Sequence, residues 1–326
     1  MAATIATLTT VAAPATRVAD ATRADTLSVI DTASGSLIAQ VPVGQLPVAL
    51  AVAADGRRVY VSNRDSATIS VVDTLSNTLI ATVPVPGVPE AVALLPDGNR
   101  LYVADRQSAI VVVVDALSGG IIATVPLEGV PEALTVSPDG SAVYVGTSSP
   151  DGVDVIDATA NAITNIVAFP ASPQGLAISA DGTHLYITTY DAQTRRSGAF
   201  VTLDTATNMI SSSLQLVTVP QALVVAPDGS RAFVTHLGTL GVSFVDLTAT
   251  SIAMDVPLAG LPAGLALMPD ASRLYVAAGV APSQLAAIDT ATGQVTGTVQ
   301  LAGTAQGVAI APDASRVYVA HRGDGQ

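Results

Sequence analysis

Residues 91–132 read AVALLPDGNRLYVADRQSAIVVVVDALSGGIIATVPLEGVPE. Four short apolar runs rich in Val, Ile and Leu stand out in this stretch: Ala91–Leu95, Leu101–Ala104, Ala109–Val114 and Ile121–Pro126. They are separated by Pro96-Asp97-Gly98, Asp105-Arg106-Gln107 and Leu117-Ser118-Gly119-Gly120, and Gly129-Val130-Pro131-Glu132 leads out of the last. Apolar runs of strand length punctuated by Gly, Pro, Asp and Ser predict strands joined by tight turns. Four strands in about 42 residues is the size of one propeller blade.

The rest of the chain repeats this unit. Turn aspartates fall at Asp55, Asp97, Asp139, Asp181, Asp228, Asp270 and Asp313, with spacings of 42, 42, 42, 47, 42 and 43. A second marker, at the end of a Val/Ile-rich run, falls at Asp31, Asp73, Asp115, Asp157, Asp204, Asp246 and Asp289 with the same spacings. Seven occurrences of each predict seven blades. The repeat enters halfway through a unit at Thr26, and Gln326 falls at the same repeat position. A chain that ends in register with its start predicts a closed ring, with the N-terminal outer strands (Leu27–Val43) completing the blade whose inner strands are Gly307–His321. The expected fold is therefore all-β, a seven-bladed β-propeller of four-stranded antiparallel blades spanning 26–326. Residues 1–25, rich in Ala and Thr, do not fit the repeat; they are expected to be a disordered tail or the remnant of a secretory signal, although no basic start precedes them.

Composition removes several chemistries. There is no Cys, so there is no disulfide framework, thiolate nucleophile or sulfur-ligated metal. Lysine is also absent, all 13 basic residues being Arg, which excludes a Schiff-base lysine and a P-loop. The formal net charge of −13 argues against nonspecific nucleic-acid binding, although much of the acidity sits in the two turn markers. No apolar run approaches the length of a membrane span.

Tyr60-Val61-Ser62-Asn63, Tyr102-Val103-Ala104-Asp105, Tyr144-Val145-Gly146-Thr147 and Tyr318-Val319-Ala320-His321 each follow a PDG-like turn. These segments resemble the YVTN-type repeats of the YncE-like propellers. The resemblance covers 26–326 and implies the same seven-bladed fold. It also implies an extracytoplasmic location, against a cytoplasmic one if the N-terminus is as written. It says little about function, because the matching residues are packing and turn residues. A related seven-bladed enzyme, streptogramin B lyase, works with His, Glu and magnesium, but its motif has no clear match in this chain. The large residue of the repeat (Tyr60, Tyr102, Tyr144, Tyr186, Phe233, Tyr275 and Tyr318) is expected to pack between blades. Asp270-Ala271 and Asp313-Ala314, which lack the turn glycine, are expected to form a different or mildly strained turn.

With strands lettered A to D from the channel outwards, the PDG turns share one face with Arg58, Arg100, Arg231, Arg273 and Arg316, and His184 is read as a solvated residue of that face. Variation concentrates on the opposite face. At the start of strand A the blades carry Val48, Glu90, Glu132, Gln174, Gln221, Ala263 and Gln306; fifteen residues on, at the end of strand B, they carry Asn63, Asp105, Thr147, Thr189, His236, Ala278 and His321. The constant offset predicts that each pair sits side by side at the channel mouth. Gln221–His236 and Gln306–His321 would then repeat one pairing, in which a Gln amide orients an imidazole for acid/base work. Glu90, Asp105 and Glu132 would gather carboxylates that Arg64, Arg106, a raised pKa or a divalent cation (Mg²⁺ or Ca²⁺) must offset. The fourth blade is longer, which places Tyr190, Arg195 and Arg196 in an extended loop over the same mouth.

Two function classes stay open at this point. One is a non-catalytic propeller, a monomer that binds a small molecule or protein at the mouth through Asn63, Arg64, Arg106, Gln174, Gln221, Gln306, Tyr190, Arg195 and Arg196. The other is a lyase, lactonase or cyclase with His236 or His321 as acid/base and the three carboxylates on a metal. Neither GxSxG nor HExxH is present in a context that would decide between them.

Overall fold

A computed structural model of the chain describes residues 25–191, 198–216, 219–279 and 283–323. Among these, 28 strands form seven four-stranded antiparallel sheets. Blade 2 is typical, with strand A at Pro89–Leu94, B at Arg100–Asp105, C at Ile110–Asp115 and D at Ile121–Pro126. In blade 7, strands A and B are Thr304–Ile310 and Arg316–Arg322, and strands C and D are Thr26–Asp31 and Leu37–Pro42. Thr26 pairs with His321 and Asp31 with Arg316, so the first described strand is hydrogen-bonded to the last. No helix among the described residues is long and apolar enough to cross a membrane.

The turns form as their residues dictate. The Asp97 carboxylate accepts the Asn99 amide at 2.9 Å, and Gly98 takes the left-handed conformation that closes the turn, at φ 74°. At the second marker the Asp73 carboxylate accepts both the amide and the hydroxyl of Ser76, at 2.8 and 2.7 Å. The bonds from Ser76 hold the Asp73 carboxyl below its ordinary value; hydrogen bonds from Ser137 and Ser141 draw Asp139 down to about 2, and those from Ser179 and Thr183 do the same for Asp181. Much of the net negative charge is therefore turn chemistry.

Ala271 and Ala314 occupy the glycine position of the same turn at φ 57° and 62°, and their amides make the usual hydrogen bonds to the Met268 and Ala311 carbonyls at 2.8 Å. The turn type is unchanged and the alanines carry the left-handed strain. Ala271→Gly is expected to be neutral or stabilising by up to about 1 kcal/mol, the relief of strain being partly offset by unfolded-chain entropy, as read by urea unfolding.

Packing follows from the strand order. Strands B and C lie between neighbouring sheets and are buried on both faces, whereas strand D is mostly exposed; in blade 1, Val59–Asn63 are all buried and Thr78–Thr82 all exposed. Each of seven apolar clusters spans two adjacent blades. Each cluster contains one member of the Tyr/Phe ring, which confirms that position as inter-blade packing. The Tyr60 and Tyr102 hydroxyls reach across the seam to the Ala116 and Ala158 carbonyls, at 3.0 and 3.2 Å.

Candidate functional site at the channel mouth

Every blade opens strand A with a register shift: Pro47 pairs with Asn63 and Ala49 with Ser62, Pro89 with Asp105 and Ala91 with Ala104, and likewise around the ring. Residues 48, 90, 132, 174, 221, 263 and 306 are thus the extra residue of a β-bulge, which leaves the ladder and re-aims its side chain. In six blades the residue before the bulge is proline, which has no amide to lose to the ladder; in blade 7 it is Ala305. In blades 1 and 5 the amide of the small residue after the bulge donates to a strand-B hydroxyl, Ala49 N to Ser62 Oγ and Ala222 N to Thr235 Oγ1, both at 3.1 Å.

The bulge corrects the predicted side-by-side pairing. Opposite His236 stands Pro220, and opposite His321 stands Ala305, so neither imidazole pairs with its glutamine. The two rings instead separate into two environments.

The bulge residues turn to the axis. Val48, Glu90, Gln174, Gln221, Ala263 and Gln306 line a common cavity of about 500 Å³. The Gln174 amide nitrogen bonds the Pro173 carbonyl and the Ser172 hydroxyl at 3.2 and 3.3 Å, and that of Gln221 bonds the Pro220 carbonyl at 3.2 Å. Beside them run two ion pairs. Glu90 Oε2 is 3.4 Å from Arg64 Nε without hydrogen-bond alignment, and Glu132 Oε2 is 2.5 Å from Arg106 Nη1. Glu132 also accepts the Ser148 hydroxyl at 2.7 Å. Burial raises the Glu90 carboxyl above its ordinary value, Arg64 and Arg106 pull it back, and Glu132 adds a smaller upward push. Arg64 and Arg106 thus pair with Glu90 and Glu132 but not with Asp105, and the Glu90 carboxyl stays above its ordinary value.

The strand-B residues are buried inside the blades, none more than 3% exposed. Asp105 accepts the Val88, Gln107 and Ser108 amides at 2.7, 3.0 and 3.3 Å, tying the connection into its blade to the B–C loop. Gly87, at φ 71°, lets that connection close over it; a Cβ there would lie 2.2 Å from the Asp105 carboxylate oxygens. Asn63 donates to the Thr68 carbonyl and to the Ser70 hydroxyl, at 3.2 and 3.0 Å. His321 Nε2 lies 2.8 Å from Thr26 Oγ1 and 2.7 Å from Ser28 Oγ, fastening the strand pair that joins the two chain ends. His236 Nδ1 shares a hydrogen bond with Thr239 Oγ1 at 2.8 Å, while its buried Nε2 is 3.9 Å from Asp255 Oδ1; burial lowers its pKa and Asp255 partly restores it.

Of the predicted residues the structure therefore brings together Glu90, Gln174, Gln221 and Gln306 in one cavity, with Arg64, Arg106 and Glu132 in ion pairs beside it. It places Asn63, Asp105, His236 and His321 in the blade interiors, and neither histidine lines the cavity. Asp105 gives Oδ1 to backbone amides while its buried Oδ2 has no partner, and among the described residues no three His, Asp or Glu side chains form a group able to hold a metal ion. Tyr190 ends strand B of blade 4 opposite Ser172, and Arg195 and Arg196 lie outside the described residues. The bulge itself was the missed feature. Its signal is the recurrent Pro-X-Ala/Gly at the start of strand A, in which X faces the axis.

The family model described as "Lactonase, 7-bladed beta-propeller" matches residues 16–137, the stretch that holds the outer strands of blade 7, blades 1 and 2, and strand A of blade 3. The hydrazine synthase structure from Kuenenia stuttgartiensis superposes with a TM-score of 0.79 at 21% identity, over 86% of this chain and 94% of that one. That likeness is one of fold. No curated protein matches the sequence.

Proposed function

We propose that the protein is a binding propeller whose site is the channel mouth, and that its ligand is a small, polar, uncharged molecule. The observation that carries this is the bulge: it turns Glu90, Gln174, Gln221 and Gln306 from four blades into one 500 Å³ cavity. Three primary amides offer donors and acceptors without net charge, and Arg64 and Arg106 are already engaged by carboxylates. The Tyr-Val repeats support a place within the YVTN-type group.

A second reading, favoured by the lactonase-family match over residues 16–137, is an enzyme at the same mouth. Glu90 is then the acid/base residue, because it is the titratable group in the cavity whose pKa burial raises. In that reading Arg64 and Arg106 hold its charge state and the glutamines orient the substrate. A divalent cation would have to be held by Glu90 and Glu132 without Asp105.

Thermal unfolding with a panel of sugars, sugar lactones and their open-chain acids tests both readings. For the binding reading, at least one neutral compound raises Tm in the wild type, and Gln174→Leu/Gln306→Leu weakens that binding by about 100-fold, roughly tenfold for each lost amide. No shift with any compound, or a shift untouched by the double variant, rejects the mouth as a binding site. Lactone hydrolysis that disappears in Glu90→Gln with ligand binding retained selects the enzyme.

A further inference from the structure

The bulge side chains divide the mouth unevenly. Blades 2, 3 and 4 present Glu90, Glu132 and Gln174, which are long and polar, whereas blades 6 and 1 present Ala263 and Val48, with Gln306 of blade 7 alone between them. Two residues further along strand A every blade carries a leucine or a valine. The short side chains of blades 6 and 1 leave this apolar layer uncovered.

The lining of the cavity follows that division. It reaches the layer at Leu223, Leu265, Val308 and Leu50, in the successive blades 5, 6, 7 and 1. It meets blades 2 and 4 only at Glu90 and Gln174, and blade 3 not at all. Gly264 and Gly307, which stand between the two layers in blades 6 and 7, add no side chain to close the recess. The cavity therefore has an apolar wall on one side of the axis, with the ion pairs of Glu90 and Glu132 toward the other.

One polar group interrupts the apolar wall. Gln174 and Gln221 turn their amide nitrogens onto carbonyls of their own strands, but no hydrogen bond among the described residues engages the Gln306 side chain. Its amide presents a donor and an acceptor side by side. A ligand that displaces water from it must replace both bonds or lose affinity. A charged group there would be desolvated without a free counter-charge, since Arg64 and Arg106 are held by carboxylates.

We propose that the ligand of the mouth is an uncharged amphiphile. Its head, of carboxamide type, pairs a donor and an acceptor with Gln306, and a short aliphatic body lies on Val48, Leu50, Ala263 and Val308, with Leu223 and Leu265 behind. This rests on the mouth being the binding site and narrows the class of ligand it takes.

The test is a ligand-observed NMR titration of the full chain with acetamide, butanamide and hexanamide, and with hexanoate as the charged counterpart. Affinity is expected to rise about fourfold for each methylene that reaches the wall, and hexanamide should bind tighter than hexanoate. Gln306→Leu should weaken every amide about tenfold and leave the gain per methylene in place. Val48→Thr/Val308→Thr, which exchanges methyls for hydroxyls of the same shape, should cut that gain to about twofold or less. Should this variant fail to fold, Ala263→Leu fills the recess and should weaken hexanamide about tenfold or more. Affinity independent of chain length, a gain that survives both wall variants, or tighter binding of hexanoate overturns the proposal. If no amide binds but a sugar or lactone does, in a manner sensitive to Gln174→Leu/Gln306→Leu, the mouth stands as a binding site and the amphiphile falls. Silence from both sets of compounds rejects the two together.

Discussion

Asp154→Ser should stabilise the propeller by about 3 kcal/mol at neutral pH and by almost nothing near pH 4. Asp154 lies in strand C of blade 3, is 1% exposed, and its Oδ2 has no hydrogen-bond partner. The equivalent residue is a serine in three other blades, Ser28, Ser70 and Ser243, whose hydroxyls meet His321, Asn63 and Asp255, and is apolar in the remaining three, Val112, Val201 and Ala286. In blade 3 the residue at the His/Asn position is Thr147, whose hydroxyl points to the Gly152 carbonyl at 3.4 Å instead. Burial, with the Glu128 carboxylate adding to it, pushes Asp154 up to about 6 from 3.8.

The sign follows from proton linkage. Between pH 3.8 and about 6 the folded chain holds a proton that the unfolded chain has released. The stabilising contribution is complete below 3.8 and is lost as pH rises through about 6, and about two pKa units correspond to about 3 kcal/mol. Asp139 and Asp181 act in the opposite direction: their folded pKa values are depressed to about 2, so their contribution is present above 3.8 and lost as pH falls through that range. Wild-type stability should therefore peak in mild acid, and Asp154→Ser should move the maximum toward neutrality. Urea unfolding of both proteins at about pH 4 and about pH 7.5 reads this directly. A variant destabilised equally at both values would mean that the carboxyl has a partner and that its burial carries no penalty.

Gly264→Ala carries the largest expected loss, about 2–3 kcal/mol from overpacking. Gly264 is the small residue after the strand-A bulge of blade 6, part of a ring made only of Ala49, Ala91, Ala133, Gly175, Ala222, Gly264 and Gly307. A Cβ at Gly264 would lie 2.4 Å from the Gln306 carbonyl oxygen, 2.9 Å from the Val308 nitrogen and 3.1 Å from the Gly307 Cα. All three are backbone atoms of the next blade, so no side-chain rotation relieves the contact. The seam between blades 6 and 7 must open, and Gln306 moves with it. Loss of ligand binding at the mouth should accompany the fall in Tm. Gly297→Ala, on strand D of blade 6 with nothing within 4 Å of its Cβ, is the control and should be neutral or slightly stabilising. Equal effects of the two substitutions would contradict the close inner-ring packing.

The blade count was legible because its markers are local: Asp97 binds the Asn99 amide, Asp73 binds Ser76, and the Tyr/Phe ring marks one face of each strand B. The arginines were read only as company for those turns. Their role appears when Arg58 is seen to cross a seam to Ala116, because an acceptor 58 residues away leaves no mark in the spacing.

At the mouth, six of the seven variable strand-A positions line one cavity, and the constant fifteen-residue offset was real. The offset misled on pairing, because a bulge that recurs in every blade changes no spacing while it shifts every partner by one residue. His236 and His321 were therefore placed beside glutamines when they stand inside their blades. Read alone, the sequence determined the fold, the number of blades and the face that varies, since these rest on turn chemistry and period-two patterning within short segments. The tertiary structure alone decided which variable side chains reach the axis, which are absorbed by buried hydrogen bonds, and which seams carry an internal guanidinium. Those outcomes depend on register and on contacts between blades, where a change of one residue or a few tenths of an ångström reassigns a side chain from site to scaffold.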